Sequence, residues 1–348
     1  MAEPALQRPT ESTDLGGGVT LQISVAPGDF PHARATLRHQ LRRWGGQVDE
    51  VMLTLDRSGD GERDRAHHRD LGKLLSTLLD EHPNARVVEV GYDASTMDAV
   101  RRRFSLTRPV PTKDCFGKAV YAYLFGLWAV SSRYVLHVDS DMMFGGGSQG
   151  WIAEAKRVLA QPHVFTCSPL PGPPSPGPWR RRVAIGHAGS RRPSALSRNG
   201  VPLSLPGLPG PAYRFSRMST RNFMLDRSSI DGEDGGLPMA RPGLRALIGA
   251  VSKGALVKGN PLCAPAETSL TQTMTRLGQV RVDFLGTPPG MWSLHPPVRS
   301  IDFYRTLPEI IRRIEADDIP ERQRGDYDLC AWTDSADGPA TDAPHADR

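Results

Sequence analysis

Apolar positions along this chain switch repeatedly between two spacings. Residues 19–25 (V-T-L-Q-I-S-V) begin at a period of two and then run apolar, which predicts a first strand. Residues 32–44 place Ala33, Leu37, Leu41 and Trp44 at helical spacing with Arg and His on the other face, and Gly45-Gly46 stop that helix. Residues 48–55 read as a second strand. A helix over 65–79 then carries Leu71, Leu74, Leu75 and Leu78 on its apolar face, and 85–90 reads as a third strand. A short basic helix over 97–104 ends before Pro109 and Pro111, and a strongly apolar helix follows over 116–131. A strand, a helix and a strand so close in sequence make a right-handed parallel unit. Continued alternation of strands and helices predicts a doubly wound α/β sheet.

The stretch 134–144, Y-V-L-H-V-D-S-D-M-M-F, organises the rest. Tyr134, Val135, Leu136 and Val138 form an apolar run with the β-branched content of a buried strand. The run then meets two carboxylates one residue apart, Asp139 and Asp141. Asp is a poor strand residue, so the pair marks the carboxyl end of the strand entering a loop. In open α/β sheets that edge is where ligands bind. Two acids at this spacing can share one divalent cation whose other ligands are water and substrate phosphates. His137, inside the strand, reads as a packed residue rather than a chemical one.

Beyond it, 151–159 is an amphipathic helix and 163–167 a short strand. Pro is abundant overall, 31 of 348 residues, and six of them fall within 169–178. Trp179, Arg180, Arg181 and Arg182 follow, so 169–213 is expected to be an irregular Pro/Gly/Arg-rich insertion, with Arg191 and Arg192 in its solvated part. Residues 214–225 look extended and close on Asp226. Helices are expected over 244–251, 268–277 and 308–315, with a strand over 280–285. A flexible arm over 1–17, one domain over 18–332 and a disordered Ala/Asp/Pro-rich tail over 333–348 complete the expected organisation.

Charge and cysteine change this picture little. The net charge of +5 arises from Arg, since Lys occurs only at 73, 113, 118, 156, 253 and 258. That bias spreads over the whole chain and does not form a nucleic-acid patch, although it suits phosphate-bearing ligands. Cys115, Cys167, Cys263 and Cys330 have no metal spacing and read as reduced thiols. Residues 1–14 lack the apolar core of a signal peptide, and the longest apolar run, 119–130, is too short to span a bilayer. A cytoplasmic protein is therefore expected.

The ordered set of strand, helix, strand, Asp56-x-Ser58-x-Asp60, apolar helix and a strand ending in Asp139-Ser140-Asp141 resembles the GT-A glycosyltransferases, particularly their family 2 group. Glu267-Thr268-Ser269-Leu270, with Gly278 beyond it, resembles the acidic stretch that carries that family's catalytic base, with Glu in place of the usual Asp and Ala266 where a second acid is common. Met291-Trp292-Ser293-Leu294-His295 resembles the late segment bearing a metal-binding His. The resemblance spans roughly 19–300. It implies a GT-A fold with a mostly parallel twisted sheet. Asp56, Ser58, Asp139 and Lys118 are then the candidates for the nucleotide, and Asp139, Asp141 and His295 for a divalent cation, Mn²⁺ or Mg²⁺. Glu267 becomes the base for an inverting transfer of a sugar from a nucleotide-diphosphate donor to an acceptor hydroxyl. Asp226, at a strand end, is a further candidate for positioning the sugar or serving as base.

Two alternatives stay open at this stage. A sugar-phosphate nucleotidyltransferase shares such a sheet but usually carries a Gly-rich basic loop after its first strand, where this chain has Ala26-Pro27-Gly28-Asp29. A non-catalytic nucleotide-binding relative is the other. The donor sugar, the nucleotide base, the acceptor and the stereochemical outcome are not encoded in any of these residues.

Overall fold

The strand β1 (Val19–Val25) buries six of its seven residues, so it requires neighbours on both edges and cover on both faces. In the computed structural model, which describes residues 17–59, 62–106, 108–175, 183–185, 191–193, 200–231, 237, 239–252, 254–255, 259–297, 299–330 and 332, it has all four. The chain continues through α1 (Phe30–Trp44), β2 (Glu50–Leu55), α2 (Glu62–Glu81), β3 (Ala85–Glu89), α3 (Ala94–Arg103), α4 (Tyr121–Ala129), β4 (Tyr134–Asp139), β5 (Met143–Gly145) and α5 (Trp151–Leu159). Then come β6 (Val164–Pro171), the small pair β7 (Val183–Ile185) and β8 (Arg191–Pro193), β9 (Val201–Leu203), β10 (Ala212–Phe215) and β11 (Asn222–Asp226). The last elements are α6 (Leu244–Ser252), α7 (Ala266–Arg276), β12 (Val280–Phe284), β13 (Trp292–Leu294) and α8 (Ile301–Glu315).

One sheet takes strands from nearly the whole length, in the order β3-β2-β1-β4-β11-β6-β12-β10-β9, with β13 and β5 attached through β6. β1 pairs in parallel with β2 and β4, and β2 with β3. The antiparallel β11 lies between β4 and β6, after which β12 and β13 again run parallel to β6. This is the mostly parallel α/β arrangement of GT-A type that the resemblance implies. The period-two alternation sorts the faces: Leu21, Ile23, Val51, Leu53 and Val138 join Leu37, Leu41 and Trp44 of α1 on one side. Met52, Val88 and Val135 join Phe104 and Phe125 on the other. A third cluster forms where Leu307, Ile310, Ile311 and Ile314, one stripe of α8, cover Met143, Trp292 and Leu294.

Several boundaries differ from the sequence reading. The apolar helix starts at Tyr121 rather than 116, because Asp114 Oδ1 accepts the Phe116 and Lys118 amides and folds that segment into a turn. The extended stretch 214–225 divides into β10 and β11, which lie apart in the sheet. The late helix begins at Ile301, where the Ser300 hydroxyl accepts the Phe303 amide at 3.1 Å, and Pro308 falls in its interior. Within 169–213, residues 169–171 finish the fully buried β6, and β9 and β10 add to the sheet edge. Much of the rest of that span, with Trp179 and Arg180 to Arg182, lies outside the described residues; so do Asp60, residues 1–16 and the tail from 333.

The second face of α1 is the unexpected one. His32, Thr36, His39 and Gln40 are each no more than 1% exposed, because they grip the turn that leaves β4. Thr36 Oγ1 donates to the Ser140 carbonyl at 2.5 Å. Gln40 Nε2 donates to the carbonyls of Asp139 at 3.0 Å and Met142 at 2.8 Å. His39 Nε2 accepts the Phe144 amide at 2.9 Å. Gln40→Leu would fill the same space, remove the side-chain donor to the Met142 carbonyl and leave the Asp139 carbonyl with the Met142 amide alone. It is expected to lower stability by about 1–3 kcal/mol, measured by urea unfolding, with the far-UV spectrum unchanged.

Candidate active site

Because β1, β2 and β4 run in parallel and in register, Val25 beside Leu55 and Ser24 beside Asp139, their carboxyl ends open on one edge. A cleft of about 260 Å³ lies there, lined among others by Ser24, Asp29, Asp56, Tyr123, Asp139, Asp141 and Arg299. Four acidic residues face one small volume.

Asp141 is 2% exposed. Its Oδ2 bonds the Arg299 guanidinium and lies 3.7 Å from His295 Nε2, and its Oδ1 has no hydrogen-bond partner. Burial and then the neighbouring Asp139 raise its pKa, while Arg299, His295 and Arg221 pull it down. Asp139, whose side chain is 42% exposed, receives contact from His137 Nε2 at 3.4 Å, and its amide donates to the Arg221 carbonyl at 2.7 Å. His137 itself is packed as expected: its Nδ1 meets Gln22 and its ring lies edge-on to Tyr123, 4.9 Å between centroids.

Asp29 comes from the turn after β1. Its Oδ2 accepts the Ala26 amide at 2.9 Å and its Oδ1 lies 3.7 Å from His32. Burial above all pushes its pKa up to about 6, with Asp141 and Asp139 adding to the rise against the Ala26 amide and Arg299. Asp56, after β2, accepts from the Ser58 amide at 2.9 Å and from the Tyr92 hydroxyl at 3.0 Å, and Tyr92 also reaches Ser58 Oγ at 3.1 Å. Tyr92 leans on Tyr121 with centroids 5.1 Å apart, and burial raises its pKa so that it stays a donor. Asp56 and Ser58 therefore form one polar wall with an aromatic face behind it.

His295 follows β13 and is held by backbone on both sides: its amide donates to Tyr327 and its carbonyl accepts from Leu329. Its ring stacks on Tyr327 at 6.0 Å, and Asp328 lies 3.5 Å from Nδ1. The segment 326–330, beyond the reach of the family resemblance, is what turns Nε2 toward Asp141.

Glu267 occupies the first turn of α7 and is exposed. Enclosure by the surrounding protein raises its pKa, against the pull of Arg281, Arg221, Lys118 and Arg217. The helix dipole alone favours the ionised form, so the desolvation by neighbours outweighs it here. Lys118 stands on the exposed turn before α4 and is one of the cations acting on Glu267. Between the two acidic groups lies Tyr123, whose buried hydroxyl has no hydrogen-bond partner. Burial, Asp139 and Glu267 hold its pKa well above the usual value.

Asp226 does not reach this edge. β11 is antiparallel to β4, so Asp226 pairs with Tyr134 at the far end, the length of β4 away, roughly 17 Å at about 3.4 Å per residue. There it binds Arg133 at 2.7 Å and caps the turn through the Ser228 amide. Asp29, Tyr92, Tyr123, Arg221 and Arg299 join the site without having been singled out from sequence. For Asp29 the turn Ala26–Asp29 after the first strand was a usable signal; the others come from distant segments.

As a metal site, this set is incomplete by itself. Among the described residues no group of three or more His, Cys, Asp or Glu side chains stands close enough to enclose an ion. Asp141 and His295 nonetheless supply two donors, and the orphaned Asp141 Oδ1 is the kind of atom a cation would satisfy. Mg²⁺-type sites often use one or two protein ligands and take the rest from phosphate and water. The residues fit an ion of that kind.

No protein-family model and no curated protein matches the chain. Solved structures do resemble it. S. aureus TarS 1-349 in complex with UDP-GlcNAc is 10% identical with a TM-score of 0.41, over 87% of this chain and 68% of that one. A UDP-glucose pyrophosphorylase complexed with UDP-glucose is 8% identical with a TM-score of 0.40, over 86% of this chain and 99% of that one. The mannosyltransferase Ktr4p from S. cerevisiae is 10% identical with a TM-score of 0.33, over 78% of this chain and 70% of that one.

The raised pKa of Asp29 has a consequence for stability. The folded chain holds this proton more tightly than the unfolded one, so the favourable state is fully present below about pH 4 and is lost as pH rises through about 6. Asp29→Asn keeps the acceptor for Ala26 and removes the titration. The stability of the native protein relative to this variant should fall by up to about 3 kcal/mol from pH 4 to pH 7, read by urea unfolding at both pH values. An unchanged difference would contradict the assignment.

Proposed function

We propose that this chain is a metal-dependent glycosyltransferase that moves a sugar from a nucleotide-diphosphate donor to an acceptor hydroxyl, with inversion. The observation that carries the reading is Asp141, a buried carboxylate at the end of β4 with one unpartnered oxygen and His295 beside it. Arg299 pairs with the other oxygen, and the buried unpartnered one, on a carboxyl of raised pKa in the cleft, marks a place for a bound group. The nucleotidyltransferase alternative gains no support, since the turn after β1 presents the acidic Asp29 to the cleft instead of a basic residue.

In this reading Asp56 and Ser58, backed by Tyr92, bind the nucleoside, and Asp139 holds the ribose or a bound water. Asp141 and His295 would ligate the divalent cation, which supplies positive charge against the departing diphosphate. The acceptor hydroxyl is a weak nucleophile at neutral pH, so Glu267 takes its proton as the oxygen bonds the anomeric carbon. The diphosphate leaves from the opposite face with the electrons of the broken bond, and the configuration inverts. Arg281, Arg221 and Lys118 oppose the desolvation of Glu267 and so favour the ionised, proton-accepting form.

A donor-hydrolysis screen with several nucleotide-sugars and Mn²⁺ reports the donor without needing the acceptor, and absence of turnover with all of them would count against the reading. With the donor in hand, Asp141→Ala should weaken its metal-dependent binding at least tenfold, about 1.4 kcal/mol, in calorimetry with and without chelator. Equal binding in both conditions would remove the cation from the proposal. Glu267→Gln keeps the shape of the side chain and removes the acceptor for the proton. Turnover with acceptor should drop by about 10² to 10⁴ while donor affinity changes only a few-fold; joint loss of both would make Glu267 structural.

A further inference from the structure

Arg299 lies on the link between β13 and α8, immediately before Ser300, the residue that caps α8. Its guanidinium bonds Asp141 Oδ2, yet 43% of its side chain is exposed, against 2% for the Asp141 side chain. The same oxygen faces His295 Nε2 at 3.7 Å, and Oδ1 has no hydrogen-bond partner. The buried carboxylate therefore leans on one strong partner whose own side chain reaches the surface.

A carboxylate removed from water needs a positive charge close by, and breaking such a pair on one side leaves the remaining charge uncompensated. Arg299 meets that need in the ligand-free protein. A divalent cation on Asp141 would set a second positive charge against the same oxygen atoms, where like charges a few ångströms apart repel strongly. Repulsion across the one carboxylate then weakens the hold of each on it. Arg299 also lines the cleft, and a guanidinium is matched in shape and charge to phosphate oxygens.

We propose that Arg299 is an exchangeable counter-ion: it occupies Asp141 while the cleft is empty and yields that place to a divalent cation when the donor's diphosphate takes up its guanidinium. The device makes cation binding alone weak and couples it to the arrival of the donor, so that the metal is held firmly only when there is a diphosphate to neutralise. It rests on the reading of Asp141 and His295 as cation ligands.

The test is a Mn²⁺ titration of the full chain without any nucleotide, followed by electron paramagnetic resonance, on the native protein, Arg299→Gln, Arg299→Lys and Asp141→Asn. Arg299→Gln should bind Mn²⁺ at least tenfold more tightly than the native protein. Arg299→Lys, which keeps the charge, should stay near the native affinity and shows that a changed side chain at 299 is tolerated. Asp141→Asn should lose the site. Equal or weaker Mn²⁺ binding in Arg299→Gln, with binding still lost in Asp141→Asn, overturns the exchange and leaves the cation site standing. Tightening of the same size in Arg299→Lys also overturns it, because charge would then not be what competes. Absence of Mn²⁺ binding in both the native protein and Arg299→Gln overturns the exchange and the cation site together.

Discussion

The site depends on the grip of α1 on the turn that leaves β4. A strand that ends in Asp-Ser-Asp has no intrinsic reason to hold its two carboxylates in any particular direction, since the residues beyond Asp139 have left the ladder. Thr36 and Gln40 take the carbonyls of Ser140, Asp139 and Met142, and His32 meets the Ser140 hydroxyl at 3.1 Å. His39 then connects the Phe144 amide on one side of its ring to Glu315 of α8 on the other, at 2.7 Å. The turn is thereby tied to the helix that begins just after Arg299. Burying this many polar groups is tolerable because these contacts partner them with backbone groups of the turn or with polar side chains.

That grip holds negative charge where the fold alone would not keep it. Beyond the effect of burial, Asp141 and Asp139 raise the proton affinity of Asp29, and Asp139 raises that of Asp141, across the ends of β1 and β4. The counterweights, Arg299, His295 and Arg221, come from segments far along the chain. On the other side of Tyr123 the balance reverses, with Glu267 as a single acid among Arg281, Arg221, Lys118 and Arg217. Arg221 acts on both halves. It lies just before the antiparallel strand β11, which separates β4 from β6. An acidic group in the cleft and a cation-rich surround of one carboxylate thus act on Tyr123 together, whose buried hydroxyl has no hydrogen-bond partner.

Asp283 shows the same economy in a place with no evident chemistry. It is 3% exposed, burial pushes its pKa up to about 6, and Arg281 clasps it through two bonds of 2.9 and 2.8 Å. The clasp fixes the guanidinium that also acts on Glu267. A buried ion pair contributes little net stability on average, so its effect here is one of position: it holds a cation at the rear of the acidic helix end.

The sequence by itself determined the parallel half of the sheet, the helices that cover it and the edge on which Asp56, Asp139 and Asp141 stand. These follow from local regularities: periods of two and 3.6, strand-breaking carboxylates, and the rule that parallel strands present their carboxyl ends together. The polar face of α1 was visible as His and Arg at helical spacing, but nothing local said that His32, His39 and Gln40 face inward, because burial of polar groups depends on partners supplied elsewhere. Asp226 shows the opposite failure. Its place at a strand end was legible, but which end of the sheet it occupies depends on the antiparallel insertion of β11 beside β4. Tyr92, Arg299 and the segment that orients His295 reach the cleft only through contacts spanning tens to hundreds of residues. Such contacts leave no periodic trace in the chain, since the side chains that make them answer to a neighbour in space and not to a neighbour in sequence.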